Sequence, residues 1–265
     1  MSFLGFEGKT YLVIGVANKK SVAYSVADII SKEGGQVVFS VQDQARKETV
    51  EKLFPGADAY ICDVSSEDSV KAMAEEAREK HPVIHGIVHS VAFARYSDGA
   101  KPFHQIRKGD FMEALDISCF SLITVSNAFK DMMDKKASVV TISISTTTMA
   151  SENYGYMAPI KAALDSSLAF LAKSFSAFSE VRFNAVAPGL LKTSASAGIP
   201  GYVDSYLYAE KVIPRKRALD TAEAGRVAAF LLSDASSGVN AQKVVVDAGM
   251  GVNYFDSQVI QKVVR

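Results

Sequence analysis

Cysteine is scarce in this 265-residue chain, and neither sign of charge is in excess. Its two cysteines, Cys62 and Cys119, are too few for a disulfide framework and lack the spacing of a zinc site, so we expect no metal and a reducing compartment. Lysine plus arginine number 29, and aspartate plus glutamate also number 29. This balance gives no basic track for a nucleic acid and no attraction to an anionic membrane surface.

Long apolar runs are also absent. None reaches the roughly 18 residues needed to span a bilayer, and the first ten residues lack the basic and apolar regions of a signal peptide. We therefore expect a cytoplasmic protein. Hydrophobic residues make up 48% of the chain, enough for a full core. Because α/β chains of this size are commonly one domain, a single domain is expected over residues 1–265.

Short apolar runs alternate with amphipathic stretches along the chain. The run 10–14 is apolar on both faces, as a central parallel strand requires, and a helical stripe follows it, with Ser21 as the predicted N-cap and Gly34-Gly35 as the stop. Further strands are predicted at 36–41, 60–64, 86–90, 138–143, 181–187 and 244–247, and further helices at 69–80, 111–133 and 162–178. The alternation predicts an α/β fold, a Rossmann-type doubly wound parallel sheet of about seven strands with helices on both faces.

Ligands of such sheets bind at the carboxyl ends of the strands. The turn from Gly15 to the helix that starts at Ser21 and Val22 would offer N–H groups to a pyrophosphate, although one glycine without the G-x-G-x-x-G pattern is a weak signal. Asp63 ends the third strand. It suits a ligand contact or a cap on the helix beginning near Ser66, and the sequence leaves both interpretations open.

The end of the second strand bears on the choice of nucleotide, because a Rossmann fold contacts the adenosine ribose there. Gln42 can hydrogen-bond a ribose hydroxyl, and Asp43 repels a 2′-phosphate, so the pair favours NADH over NADPH. Arg46 and Lys47 support the alternative, since either side chain could reach back to a phosphate.

The stretch 153–161 has the strongest catalytic pattern. A lysine charge close to a tyrosine hydroxyl favours developing phenolate, so such a pair can hold and protonate a carbonyl oxygen. If the stretch is helical, Tyr154 and Lys161 lie on one face, about 10 Å apart along the axis, whereas Tyr156 is rotated to another face. Pro159 is tolerated only in the first turn of a helix, which would put Tyr154 in the approach to it.

Six short segments, within the stretch from about Gly5 to Phe255, follow one another in an order and spacing that together form one pattern. They are Gly15-x5-Ser21-x-Ala23, 62–64, 89–94, Tyr154-x6-Lys161, 188–193 followed by 198–199, and 246–249. Together they resemble the phosphate loop, adenine pocket, nicotinamide-side segment, catalytic spacing, substrate loop and C-terminal signature of the enoyl-acyl-carrier-protein reductases, in the short-chain dehydrogenase/reductase superfamily. Any one match would be weak, but several in register are specific.

The resemblance implies an oxidoreductase that reduces the 2,3 double bond of a 2-enoyl thioester with NADH in fatty acid biosynthesis. The thioester would be carried by an acyl carrier protein or by coenzyme A, and the protein would be a homotetramer built partly through the helices at Phe111 and Ala162. Tyr154 would donate a hydrogen bond to the thioester oxygen, and Lys161 would hold the nicotinamide ribose.

The resemblance also implies two sets of contacts and a loop near 194–208 that is mobile and covers the acyl chain. The implied cofactor contacts are Gly15, Ser21, Val22, Gln42, Asp63, Val64, Ser90, Val91, Lys161, Leu191 and Thr193. The implied substrate contacts are Ala92, Phe93, Ile144, Tyr154, Met157, Ala195, Ile199 and Tyr202.

Three features depart from the family's pattern. Ile144 stands where the family often has a second tyrosine, Pro159 is unusual at its place, and the segment 200–206 has no base for an acidic carrier. A different basic patch could come from Lys192, Lys211 and 215–217. These departures leave two alternatives: a nucleotide-binding regulatory relative without turnover, or a short-chain reductase of another carbonyl or alkene.

Overall fold

The strands form one parallel sheet in the computed structural model, which describes residues 3–97, 99, 101–150, 155–193, 196, 199 and 201–264. The strands are β1 (Thr10–Ile14), β2 (Gln36–Val41), β3 (Ala59–Ile61), β4 (Ile84–His89), β5 (Met133–Ile142), β6 (Arg182–Pro188) and β7 (Lys243–Val246). Their order is β3-β2-β1-β4-β5-β6-β7, and each neighbouring pair is parallel. The winding therefore reverses between β1 and β4, where sheets of this kind open a ligand crevice.

Helices cover both faces of the sheet, which confirms the predicted Rossmann-type fold. They are α1 (Val22–Lys32), α2 (Gln44–Leu53), α3 (Glu67–Lys80), α4 (Lys108–Leu115), α5 (Ser121–Phe129), α6 (Met157–Phe175), α7 (Tyr202–Val212), α8 (Thr221–Leu232) and α9 (Ser257–Val264). Val139 of β5 belongs to the core under α3, α5 and α6, and Val140 belongs to the core under α1 and α8. Among the described helices, none is long and apolar enough to cross a membrane.

The first βα unit follows its local sequence closely. The observed bounds of β1 and β2 match the predicted ones. Ser21 caps α1 by accepting a hydrogen bond from the Tyr24 N–H, as predicted. Gly34, at φ 80°, follows the end of the helix. These elements were predictable because each depends on interactions within a few residues.

The predicted helix at 111–133 is wrong at its C-terminal end. A π-helical turn, Asp116–Phe120, interrupts it between α4 and α5, and Met133 already belongs to β5. Met133 pairs with Ile84 across an irregular step in the β4–β5 ladder. The sequence did not indicate this early start of β5, because residues 134–136 are polar and a buried central strand is normally apolar.

Gly15, which follows β1, has a φ of 98° and lies against the backbone of Ser90. A Cβ at Gly15 would lie 2.0 Å from the Ser90 carbonyl oxygen. Only glycine therefore allows the ends of β1 and β4 to approach this closely. The predicted importance of Gly15 has a structural cause in addition to any contact with a ligand.

We predict that Gly15→Ala destabilises the fold by about 2–5 kcal/mol, because the new Cβ adds a backbone clash to an unfavourable φ. Gly8→Ala is the matched control, since Gly8 has a φ of 72° but an added Cβ would meet nothing within 4 Å. The control should lose only about 1–2 kcal/mol. Equilibrium urea unfolding measures both variants, and equal losses would contradict the clash.

Candidate active site

Lys161 lies in the second turn of α6 with only 2% of its surface exposed. Its Nζ donates to the carbonyl oxygen of Ile142 at 2.8 Å and to that of Val91 at 3.1 Å. Ile142 ends β5, and Val91 lies two residues beyond β4, so the ammonium is held between the carboxyl ends of neighbouring strands. The described contacts use two of its three N–H donors, which leaves one for a ligand.

Burial lowers the pKa of Lys161 to about 8, while the neighbouring Cys119 and Asp165 act in the opposite direction. Asp165 lies one turn later on α6, and its carboxylate is 3.1 Å from the Lys243 ammonium. Its two buried oxygens have no hydrogen-bond partner in the described part of the chain, so the contact with Lys243 is an ion pair without hydrogen-bond geometry. The negative charge of Asp165 thus lies between two lysines.

His89 is the other titratable side chain beneath this site. Burial, and then the charge of Lys161, lower the pKa of His89 to about 3, so its imidazole is neutral at pH 7. The ring nitrogens pair with Thr141 Oγ1 at 3.0 Å and Ser121 Oγ at 2.8 Å. These contacts make His89 a structural residue of the core and leave Lys161 as the cation of the site.

Tyr154 and Ala195 lie outside the described residues. Helix α6 begins at Met157, and Pro159 is its third residue, where a missing N–H is tolerated because the first turn has no intrahelical acceptor for it. The helical face that we expected Tyr154 and Lys161 to share is therefore not confirmed, since the described helix starts after Tyr154.

Tyr156 immediately precedes α6 and is 3% exposed. Its hydroxyl donates to the carbonyl oxygen of Arg95. The ring packs edge-on to Phe111, with centroids 6.0 Å apart. The hydroxyl of Tyr156 is thus engaged by the protein, and the next residue, Met157, is buried in the core rather than exposed to a cleft.

The predicted nucleotide contacts lie at the strand ends, as expected. Ser21 uses its hydroxyl as the α1 cap, while Val22 opens the helix, where first-turn N–H groups have no intrahelical partner. Gln42 is exposed just beyond β2. Asp43, however, caps α2 and forms an ion pair with Arg46. Asp43 therefore pairs with one of the two basic residues that supported the NADPH alternative, and the preference for NADH stays a prediction.

Asp63 follows β3 and is exposed. Its carboxylate accepts hydrogen bonds from the N–H and hydroxyl of Ser65, at 3.0 and 2.7 Å. Ser66 caps α3 instead, so the cap interpretation of Asp63 is wrong. Val64 is half-buried against the core under α3, and Ser90 and Val91 are half-buried beyond β4.

The segment after β4 is tied to the π-helical turn, a contact that sequence reasoning missed. Phe93 N–H donates to Ser118 Oγ at 2.9 Å, and that hydroxyl donates back to the Phe93 carbonyl oxygen at 3.1 Å. Ala92 is exposed, and Ile144, beyond β5, is half-buried. π-Helical turns often occur at functional sites, but the sequence predicts a continuous helix at 111–133 and therefore gave no indication of Ser118.

The hydroxyl of Tyr202, an expected substrate contact, is paired with the protein backbone. It accepts from the Leu191 N–H at 2.9 Å and donates to the Leu191 carbonyl oxygen at 2.8 Å. Ser196 Oγ accepts from the Thr193 N–H at 2.9 Å. Ile199 is half-buried. The hydroxyls of Ser196 and Tyr202 thus anchor the segment 191–193, which our expectation of an unanchored loop had overlooked.

Ser143 was also missed by sequence reasoning. It directly follows Ile142, which binds Lys161, and it is 1% exposed. Its hydroxyl has no hydrogen-bond partner among the described residues. Alternation along β5 places residues 139, 141 and 143 on one face, the face of His89, and this period-2 pattern could have indicated Ser143.

Comparisons with known proteins identify the family of the chain. A family model described as Enoyl-(Acyl carrier protein) reductase matches residues 15–251. The Staphylococcus aureus reductase FabI, whose name specifies NADPH, is 34% identical over 251 residues, which cover 93% of this chain and 98% of that protein. Escherichia coli FabI, whose name specifies NADH, is 33% identical over 257 residues, which cover 95% and 97%.

The crystal structure of the NADH enoyl-acyl-carrier-protein reductase from Aquifex aeolicus matches with a TM-score of 0.90 at 28% identity. The match covers 96% of this chain and 100% of that one. This chain belongs to the enoyl-acyl-carrier-protein reductase family. Membership confirms the resemblance and the predicted class of enzyme. Because the names of the relatives specify different nucleotides, the choice of nucleotide depends on this chain's own residues.

Two of the five basic residues in the alternative patch of this enoyl reductase form ion pairs within the described part of the chain. Arg215 binds Glu223 through two hydrogen bonds of 2.6 and 2.7 Å. Lys216 forms an ion pair with Asp256. Lys192 lies over the ring of Tyr206, 4.1 Å from its centroid. Basic residues were therefore identifiable from sequence, but their internal partners were not.

We predict that the stability of the wild type rises relative to Lys161→Met as pH increases from about 8 to 10.5. In this window the unfolded lysine binds more protons than the folded one, whose pKa is lowered, so unfolding becomes less favourable as pH rises. The full change is up to about 3 kcal/mol, at about 1.4 kcal/mol for each pKa unit.

Urea unfolding of both proteins at several pH values measures this difference. Titrations that do not depend on Lys161 cancel on subtraction. The double variant Lys161→Met with Cys119→Ala, compared with Cys119→Ala alone, removes the contribution of the Cys119 thiol, whose pKa burial raises and the Lys161 charge lowers. A difference that stays flat or falls across the window would contradict the burial of a charged lysine.

Proposed function

We propose that this chain reduces the 2,3 double bond of a 2-enoyl thioester with hydride from NADH, as a cytoplasmic enzyme of fatty acid biosynthesis. The observation that carries the proposal is the buried ammonium of Lys161, held between the ends of β4 and β5 with one donor left for a ligand. Family membership supports the reaction class.

The residues present fit a nicotinamide dinucleotide. Gly15 keeps the ends of β1 and β4 close together without a side chain, and the first-turn N–H groups of α1 suit a pyrophosphate. Gln42 is exposed where it can bond the adenosine ribose, and the remaining donor of Lys161 suits a nicotinamide ribose hydroxyl. When bound, the dinucleotide supplies the hydride that adds to the β-carbon.

Addition to the β-carbon moves negative charge to the thioester oxygen. We assign Tyr154 as the hydrogen-bond donor to that oxygen, and Lys161 as the cation whose potential favours the charge. Both groups act on charge that appears in the transition state, so they raise turnover more than ground-state affinity. Tyr156 is unsuited to this role because its hydroxyl already donates to Arg95.

The test is incubation of the protein with NADH and crotonyl-coenzyme A while the absorbance of NADH is followed. Loss of absorbance that requires the crotonyl thioester supports the proposal. Nucleotide binding without oxidation of NADH or NADPH would favour the regulatory alternative instead.

We predict that Tyr154→Phe lowers kcat by roughly 10²- to 10³-fold and leaves the Kd for NADH nearly unchanged, because the loss of one oxyanion donor affects mainly the transition state. Tyr156→Phe is the matched control, and should lower thermal stability while retaining most of kcat. If Tyr156→Phe is the more damaging variant for kcat, the assignment of the two tyrosines is reversed.

We further propose that the chain forms a homotetramer and that the segment 194–208 covers the acyl chain. Exposed apolar side chains on α4 and α6 support association, since Met112 is 50% exposed and Phe170 is 75% exposed. Leu207 and Tyr208 on α7 offer apolar surface for an acyl tail. The thioester carrier is an acyl carrier protein or coenzyme A.

The preference for NADH rests on the pair Asp43 and Arg46. The Asp43 carboxylate engages the guanidinium that could otherwise bind a 2′-phosphate, and Gln42 precedes them as a neutral ribose partner. We therefore infer that the pair, rather than Asp43 alone, keeps NADH preferred.

We predict that Asp43→Asn shifts the ratio of kcat/KM values toward NADPH by about tenfold, because it removes a carboxylate that repels a 2′-phosphate and frees the Arg46 guanidinium to bind one. Asparagine can still cap α2, so the helix is retained. Arg46→Gln is the control and should shift the ratio toward NADH. A wild-type enzyme that prefers NADPH tenfold would overturn the assignment.

A further inference from the structure

Tyr96 lies on the loop after β4, and its hydroxyl oxygen is buried. It has no hydrogen-bond partner in the part of the chain that the structure describes. Buried hydroxyls are nearly always paired, because an unpaired one loses its bonds to water without replacement. A tyrosine hydroxyl left in this state is therefore a candidate for pairing with a ligand.

The nearest aromatic neighbour does not satisfy this hydroxyl. Tyr96 stacks on Tyr156 with ring centroids 5.9 Å apart and planes inclined by 23°. The hydroxyl of Tyr156 donates to the carbonyl oxygen of Arg95. Tyr156 thus positions the ring of Tyr96 and leaves the hydroxyl of Tyr96 unpaired.

Gly155 brings this hydroxyl close to the backbone beside Tyr154. A Cβ added at Gly155 would lie 3.3 Å from Tyr96 Cε1 and 3.7 Å from its hydroxyl oxygen, and Gly155 has a φ of 56°. The unpaired hydroxyl therefore lies against the residue that immediately follows the proposed hydrogen-bond donor of the reaction.

Tyr96 also lines a cleft beside this point. Gly155, Tyr156 and Ile106 line the same cleft, and the exposed Arg95 and Lys101 contribute to its wall. A chain-like substrate that lies in this cleft would pass Gly155, Tyr96 and Lys101.

We propose that the hydroxyl of Tyr96 donates a hydrogen bond to an amide carbonyl of the pantetheine arm that carries the acyl group. This inference rests on the proposed function, since it requires a thioester substrate at Tyr154. The uncharged hydroxyl of Tyr96 suits an uncharged carbonyl, and both candidate carriers hold their acyl groups on an arm with amides. Burial, with a contribution from Tyr156, raises the pKa of Tyr96 to about 12, so the hydroxyl stays protonated.

The test compares two thioester ligands, one with the pantetheine arm and one without it. Butyryl-pantetheine carries the amides, and S-ethyl thiobutyrate has the same thioester without them. Calorimetry on the nucleotide-saturated full-length protein gives the Kd of each ligand, so the result does not depend on turnover. Tyr96→Phe should weaken butyryl-pantetheine about threefold to tenfold, the loss of one neutral hydrogen bond. It should leave S-ethyl thiobutyrate unchanged.

Thermal stability supplies a second readout. Tyr96→Phe removes an unpaired buried hydroxyl, so Tm should stay the same or rise, whereas the matched variant Tyr156→Phe removes a paired one and should lower Tm. In kinetics with crotonyl-coenzyme A, Tyr96→Phe should raise KM and leave kcat within about twofold.

Three results would overturn the inference: equal affinity of wild type and Tyr96→Phe for butyryl-pantetheine, equal weakening of both ligands, or no binding of butyryl-pantetheine to the wild type. A wild type that binds butyryl-pantetheine through Tyr96 but does not reduce crotonyl-coenzyme A would instead uphold the inference and refute the proposed reaction.

Discussion

The site depends on how the fold stabilises one buried positive charge. An ammonium removed from water is tolerated only where polar groups replace its hydration. The last pair of the β4–β5 ladder is His89 with Thr141, so the carbonyls of Val91 and Ile142 lie beyond the ladder. Lys161 bonds both of them. The divergence of two parallel strands thus creates the acceptors that hold the lysine in place.

This arrangement gives the remaining residues around the site their roles. Because His89 lies in the same core and is held neutral, it adds no second positive charge beside Lys161. Gly15 lets β1 approach β4 at the same edge, and so aligns the first-turn N–H groups of α1 with the lysine end of the sheet. The crevice is therefore built by backbone geometry, with side chains placed at its margins.

Local interactions explain which parts could be predicted from the sequence. Ser21 caps its own helix, and β1 is apolar on both faces. The helix start and the strand could therefore each be predicted from a few consecutive residues. The start of β5 could not, because Met133 is placed by pairing with Ile84, far away in sequence. The hydrogen bonds of the Tyr202 hydroxyl could not be predicted for the same reason, since they join it to the backbone of Leu191, which lies in another segment of the chain. Asp43 was identified as a charge, but its partner Arg46 determines what that charge does.

The formal net charge of zero gives no information about the electrostatic potential at the site. Three surface carboxylates are paired with basic residues: Glu113 binds Arg95, Glu223 binds Arg215, and Asp256 binds Lys216. Such surface pairs contribute little to stability. The opposite charges within each pair nevertheless cancel each other's electric field at a distance. The charge of Lys161 is buried, so solvent screens it far less than it screens the paired groups. A chain with balanced composition can therefore present positive potential to an anionic ligand at a single point, which composition alone cannot reveal.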